Sequence, residues 1–189
     1  MRLWNGWGNE DSDLTMELSD GLRALLEALV GPGTALSQAT LNEVVAKVPN
    51  ARLGDHPLIK TDPETRVRHA RGQSLPDWLE MHSGNVDTFP DGVAFPESSE
   101  QVRELLAHAK ENNLIVIPYG GGTSVVGHIN PETSDKPVLT VDMVKMNSMF
   151  SIDTESQLAT FGAGAPGPVV EKELKKHGYT LGHFPQSWE

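Results

Sequence analysis

The residues most open to a chemical reading form one stretch, Pro118-Tyr119-Gly120-Gly121-Gly122-Thr123-Ser124-Val125-Val126-Gly127. Three successive glycines have no Cβ atoms, so their backbone N–H groups can converge on a single anion and approach it closely. Thr123 and Ser124 add hydroxyl donors. A triple glycine after a β-branched run loses extra chain entropy on folding, and a ligand offsets that cost. The expectation is a phosphate or pyrophosphate cradle; the structural alternative is a tight turn or a flexible loop. Gly122 and Gly127 also have the Gly-x-x-x-x-Gly spacing of a nucleotide-triphosphate loop. His128-Ile129 then stand in place of Lys and Ser/Thr, so no lysine can reach the β- and γ-phosphates. Gly162-Ala163-Gly164-Ala165-Pro166-Gly167 fits Gly-x-Gly-x-x-Gly between a strand and a helix. No second strand ending in Asp or Glu follows roughly 20 residues on, so these glycines read mainly as strand-to-helix packing. The seven His residues include no His-Glu-x-x-His pattern, and no metal is expected. His128, just after the glycine loop, is the one whose place along the chain could let it line a ligand.

The elements that position this loop are legible around it. Gly92-Val93-Ala94-Phe95-Pro96 reads as a short buried strand. Ser98 caps a helix whose apolar stripe is Val102, Leu105, Leu106 and Ala109, and Leu114–Ile117 is a second strand. This is a βαβ unit, with the two strands parallel and the crossover right-handed. The glycine loop therefore leaves the C-terminal end of a parallel strand, where α/β folds bind ligands. Residues 137–142 and 157–163 read as further strands, and 168–177 as a helix with Val170 and Leu174 inward, stopped by Gly178. Upstream, Asp20 is expected to cap a helix carrying Leu22, Leu25, Leu26 and Leu29. Thr40-Leu41-Asn42-Glu43 is a capping box ahead of Val44, Val45 and Val48. Residues 51–77 read as a connector whose Arg66, Arg68 and Arg71 form a solvated basic cluster. Trp4 and Trp7 read as packing residues in a glycine-rich turn.

Composition sets the outer bounds. The chain has 189 residues, 15 Lys+Arg against 26 Asp+Glu and a net charge of −11. That balance disfavours sequence-independent nucleic-acid binding, which needs clustered cations. With no Cys there is no disulfide scaffold and no thiolate nucleophile or metal ligand. The longest apolar run, Leu114-Ile115-Val116-Ile117, is far short of the ~20 residues that cross a bilayer, and the first ten residues do not read as a secretory signal. A cytoplasmic protein is expected.

The loop Pro118–Ser124 resembles the pyrophosphate-binding loop of FAD enzymes with the vanillyl-alcohol oxidase/p-cresol methylhydroxylase-type domain, and Pro90–Pro96 with the Glu100-Gln101-Val102 helix flank it as in that family. Trp4-Asn5-Gly6-Trp7-Gly8 is similar to the opening of alkyldihydroxyacetonephosphate (alkylglycerone-phosphate) synthases. Gly178-Tyr179-Thr180-Leu181-Gly182-His183-Phe184-Pro185-Gln186-Ser187-Trp188-Glu189 resembles their Gly-His-x-Pro-Asp-Ser-Leu-Glu segment, with Gln186 in place of Asp and Trp188 in place of Leu. The resemblance covers most of the chain and implies an α/β (α+β) fold. A helical N-terminal preface and connector (1–80) would precede the N-terminal part of an FAD-binding domain (88–189). That part would hold a βαβ subdomain and, after residue 137, the start of a second, mainly antiparallel one. It implies non-covalent FAD, cradled by Pro118, Tyr119, Gly120, Gly121, Gly122, Thr123, Ser124 and Gly127, with Gln186, Ser187, Trp188 and Glu189 as a second strip. The implied activity exchanges the acyl group of acyl-dihydroxyacetone phosphate for a long-chain alcohol without net redox change, on a small-molecule or lipid substrate, and a homodimer is compatible with it. The family's catalytic residues lie past Glu189, so the chain reads as an N-terminal fragment. The alternatives are an FAD-linked 2-hydroxy-acid oxidoreductase of the D-lactate/glycolate dehydrogenase type and an inactive truncated piece.

Overall fold

The structure is a computed structural model that describes residues 2–11 and 18–185. The expected second strip, Gln186, Ser187, Trp188 and Glu189, lies outside the described residues.

Capping chemistry sets the helices of the first third. Helix α1 (Asp20–Val30) starts one residue earlier than expected, with Ser19 as the cap accepting from the Leu22 N–H, and ends at Gly31 with φ of 87°. Its leucines do not face a core: Leu22, Leu25, Leu26 and Leu29 are all exposed. Helix α2 (Leu41–Val45) opens on the expected capping box. The Glu43 carboxylate accepts from the Thr40 N–H at 2.7 Å while Thr40 Oγ1 accepts from the Glu43 N–H.

The stretch 51–77 is more ordered than its composition suggests. It holds β1 (Ile59–Lys60), α3 (Pro63–Val67) and the start of α4 (Leu75–Ser83). The reason is local. Asp62 caps α3 by accepting from the Thr65 N–H, with Pro63 at the first helical position. Ser74 and Asp77 cap α4 reciprocally, with Pro76 in the first turn. Both prolines sit where a helix has no N–H to lose. The basic cluster is corrected with it, because two of its three arginines are structural. Arg66 is 2% exposed and donates to the Pro90 and Pro49 carbonyls, and burial pushes its guanidinium below the usual value. Arg71 is buried and donates to Glu80, Asp87 and the Thr88 carbonyl. A planar fork of five donors can satisfy several acceptors at once, which is how a buried arginine joins segments.

The sheet that carries the glycine loop has the order β1-β2-β4-β3, where β2 is Gly92–Ala94, β3 is Ile115–Tyr119 and β4 is Val138–Asp142. Helix α5 (Ser99–Glu111), capped by Ser98, links β2 to β3. Those two strands are parallel, as a βαβ unit requires, but they do not touch. Strand β4 lies between them, with Thr140 opposite both Val93 and Ile117. Strand β4 therefore completes the first sheet and does not open the second one, as residue 137 was expected to do. All five of its residues are buried, as befits a central parallel strand flanked on both sides, even though Thr140 and Asp142 are polar. Leu105, Ala94, Leu139 and Val141 form the core beneath α5. Leu106, expected in the same stripe, is 51% exposed at its edge. The antiparallel part begins later, as a pair of strands, β5 (Met149–Asp153), which sequence reasoning missed, and β6 (Leu158–Phe161). Helix α6 (Gly167–Lys176) follows, with Leu174 buried and Val170 half-buried.

One ion pair ties the N-terminal third to this sheet. Arg52 grips Asp91 through Nε and Nη2, at 2.9 and 2.8 Å, and Asp91 also accepts from the Val138 N–H of β4. Burial alone would raise the Asp91 carboxyl. The arginine and the backbone donors outweigh it and hold the carboxyl below the usual range.

Candidate functional site

Strands β3 and β4 end side by side, and the chemistry gathers at their C-terminal ends. Tyr119 closes β3 and Asp142 closes β4 in register, and the Met143 N–H bonds back to the Tyr119 carbonyl at 3.0 Å. The glycine loop then turns away. Gly122 has φ of 68° and the Tyr119 hydroxyl occupies the space its Cβ would need, so a side chain here would be both strained and blocked. Among the described residues, none accepts from the N–H groups of Gly121, Gly122 or Thr123. Backbone donors without a protein partner beside a cavity are what an anion cradle offers.

The cavity encloses about 560 Å³. Tyr119, Gly120 and Gly121 form one wall and Asp142 and Val144 the floor. Ala163–Gly167, which open α6, form a second wall, and Arg2, Leu3 and Trp4 a third. The second wall leads into a helix N-terminus with no side-chain cap, but it offers few donors: Pro166 and Pro168 have no N–H, and the Gly164, Ala165 and Val169 N–H groups already bond within the protein. It is held close to the β4 end, where the Gly164 N–H donates to the Met146 carbonyl at 3.0 Å and Met143 stands where a Gly164 Cβ would go. The packing role expected of this glycine pair is thus present, and the segment lines the cavity as well.

His69 and Asp142 stand together at the cavity. The His69 Nδ1 lies 2.7 Å from the Thr65 carbonyl, which can only accept, and Nε2 lies 3.0 Å from Asp142 Oδ2. Asp142 Oδ1 accepts from the Val144 N–H at 2.8 Å, fixing the turn after β4. The rings of His69 and Tyr119 are 4.7 Å apart. Burial pushes the Tyr119 phenol up to about 12, so it stays a neutral donor at any ordinary pH. Arg68 and Arg71 also border the cavity.

The expected cradle is therefore divided. Tyr119, Gly120 and Gly121 line the cavity; Pro118, Gly122, Thr123, Ser124 and Gly127 lie in the same stretch outside its lining. Ser124 is anchored: its carbonyl accepts from the Gln73 N–H at 2.6 Å and its hydroxyl sits 3.0 Å from His128 Nδ1. His183 is exposed and does not border the cavity. Sequence reasoning missed Asp142, His69, Arg2 and the lining role of 163–167. An acidic residue ending a buried parallel strand was the available signal for Asp142; His69 and Arg2 carried none. Among the described residues no group of His, Asp and Glu could hold a metal ion.

Paired strand ends and a lysine-free glycine cradle at a cavity closed by a second glycine-rich wall define a nucleotide-cofactor domain of the α/β class. Residues 90–189 match the family model described as FAD binding domain, and the chain belongs to that family, whose cofactor is FAD. The cavity fits such a group, with the neutral backbone donors of the glycine loop on one wall for a pyrophosphate. The chain is similar to the alkyldihydroxyacetonephosphate synthase of Dictyostelium discoideum, 37% identical over 131 residues that cover 69% of this chain and 21% of that protein. A solved structure of an alkyldihydroxyacetonephosphate synthase superposes on the whole chain, with a TM-score of 0.83, 28% identity and 40% of that protein covered. Similarity extends more weakly to the mitochondrial D-lactate dehydrogenase [cytochrome] 1 of Saccharomyces cerevisiae, 32% identical over 109 residues, 57% of this chain and 18% of that one. The chain spans about a fifth of the length of these two curated relatives.

Proposed function

We propose that this chain is the FAD-binding part of an enzyme of the alkyldihydroxyacetonephosphate synthase type, which replaces the acyl group of acyl-dihydroxyacetone phosphate with a long-chain alcohol in ether-lipid synthesis. The observation that carries the reading is the cavity whose first wall is the glycine loop, with N–H groups that no described residue uses. In this reading residues 88–189 are the N-terminal part of the FAD domain and 1–80 its helical preface. Gly120, Gly121 and Gly122 present backbone donors to the pyrophosphate, which is held without a covalent link. Tyr119, Thr123 and Ser124 add hydroxyls, Pro118 and Gly127 set the two ends of the loop, and Gln186, Ser187, Trp188 and Glu189 form the second strip. When bound, the flavin supplies the reactive ring, while the chain supplies binding and orientation. Asp142, held by His69 and by the Val144 N–H, keeps the floor of the cavity in place. The absence of cysteine suits a reducing compartment, and the enzyme is placed in the cytoplasm. Among the described residues no helix is long and apolar enough to cross a membrane.

The test is direct. Titrating the purified 189-residue protein with FAD should quench flavin fluorescence and raise Tm. A folded protein that does neither overturns the cofactor reading. Similarity to the D-lactate dehydrogenase keeps a second reading, an FAD-linked 2-hydroxy-acid oxidoreductase. Assaying a longer protein that contains this chain for alkyl-ether formation and for 2-hydroxy-acid oxidation decides between them.

A further inference from the structure

The family model begins at residue 90, yet the glycine loop is seated on a segment ahead of it. The Gln73 N–H donates to the Ser124 carbonyl at 2.6 Å. That carbonyl also stands where a Gly72 Cβ would go, so the two segments touch backbone to backbone. Asn130, just past the loop, locks the contact. Its Oδ1 accepts from the Gly72 N–H at 3.0 Å. Its Nδ2 donates at 2.6 Å to Asp77, a buried carboxylate that shares the α4 cap with Ser74. The second half of the loop is thus pinned, while the N–H groups of Gly121, Gly122 and Thr123 keep no acceptor among the described residues.

The side chain of Gln73 is held as well. The Trp78 indole Nε1–H donates to Gln73 Oε1 at 2.7 Å, and Trp78 packs against the core cluster that includes Val44, Val67 and Met81. An indole N–H only donates, so the atom it meets is the amide oxygen and the other end is the NH2 group. Gln73 borders the cavity, and among the described residues no acceptor meets its Nε2. Two amide donors are therefore left over on a side chain whose orientation Trp78 has set, beside a loop that keeps its own donors open.

We propose that Gln73 is a binding residue of the cofactor site: its backbone seats the glycine loop, and its side-chain NH2 donates to a phosphate oxygen of the bound cofactor. A carboxamide already held by Trp78 adds hydrogen bonds at little entropic cost, because binding has few rotamers left to freeze. The inference rests on the FAD reading of this cavity and names a binding residue outside the matched domain.

The test is FAD titration of the 189-residue protein and two variants, followed by flavin fluorescence at increasing salt, with thermal melts to establish that each is folded. Gln73→Glu keeps the shape of the side chain and the acceptor for Trp78, and exchanges the NH2 for an anionic oxygen. Gln73→Met removes the donors without adding charge. Wild type is measured first: if it is folded and does not bind FAD, the cofactor reading fails and this inference with it. If it binds, Gln73→Met should weaken FAD about ten- to a hundredfold, the range for a hydrogen bond to a charged group. Gln73→Glu should weaken it further, and the excess should shrink as salt screens the repulsion between carboxylate and phosphate. Unchanged FAD affinity in either folded variant overturns the inference and leaves the cofactor reading standing. So do equal losses in the two variants that salt does not alter, the mark of a residue that only shapes the loop.

Discussion

The molecule contains two glycine-rich loops that leave strands at the same cavity, and they use the missing Cβ in opposite ways. At residues 120–122 the gain is an open backbone: nothing lies near a Cβ at Gly120, and the N–H groups of Gly121 and Gly122 have no acceptor among the described residues. At residues 162–167 the gain is contact: the Met143 and Met146 carbonyls stand where the Cβ atoms of Gly164 and Gly162 would be. One loop keeps its donors for a ligand. The other uses its N–H groups on the turn after β4 and thereby holds the second wall in place. Glycine count and spacing alone do not separate these two roles; what each backbone meets does.

The comparison is broken most strongly at Gly164. Gly164→Ala places a methyl group on backbone rather than on a side chain that can rotate away, so the turn after β4 or the start of α6 must move. The expected cost is about 3 kcal/mol, roughly 10 °C in Tm by thermal melt. A melt within 2–3 °C of wild type, at roughly 1 kcal/mol, would show the second loop to be as open as the first.

Gly122 should give a smaller effect of mixed character. Alanine at φ of 68° costs about 1–2 kcal/mol in strain, and its methyl presses on the end of the Tyr119 ring, which can shift. The phenol reports that shift. In the wild type burial raises it from an ordinary 10 to about 12. The neutral form is the one the fold favours, so its contribution to stability is fully present below pH 10 and is lost as pH rises through 12. Spectrophotometric titration should place Tyr119 near 12 in the wild type and lower in Gly122→Ala, where displacement admits water. An identical titration in both proteins would mean that Gly122 does not set the packing of the ring.

How much of this was legible before the structure follows from the range of the interactions. The Ser98 and Thr40 caps, the parallel β2 and β3 and the loop at a strand end all rest on local pattern or on a rule of chain topology, and they stand. What failed depends on partners far along the chain. The arginines at 66 and 71 read as solvated because their acceptors, at Pro49, Pro90 and Thr88, lie 17–24 residues away, with no pattern linking them. Strand β4 was expected in the wrong sheet because its insertion between β2 and β3 is a non-local pairing. The leucines of α1 form a regular apolar stripe, yet none is buried, because periodicity says which face could pack and not what it packs against. The missed capping of α3 and α4 is different in kind, since Asp62-Pro63 and Ser74-x-x-Asp77 were local signals hidden by a proline-rich composition.

The least disruptive change should separate the two loops most cleanly. Gly120→Ala adds a methyl group where nothing lies within 4 Å, at a position without a positive φ, so the folded chain has no steric reason to object. Removing a glycine also narrows the unfolded ensemble, so Tm should stay level or rise slightly, by at most about 1 kcal/mol in stability. Gly120 nevertheless lines the cavity, and a methyl group there keeps a phosphate from the close approach that the cradle allows. FAD affinity should therefore fall, on the order of tenfold, with no loss of fold. That pairing of effects inverts the expectation for Gly164→Ala, where the loss of stability comes first. If Gly120→Ala binds FAD as wild type does, the first loop serves only to turn the chain, and the open backbone that distinguishes it from the second has no ligand to explain it.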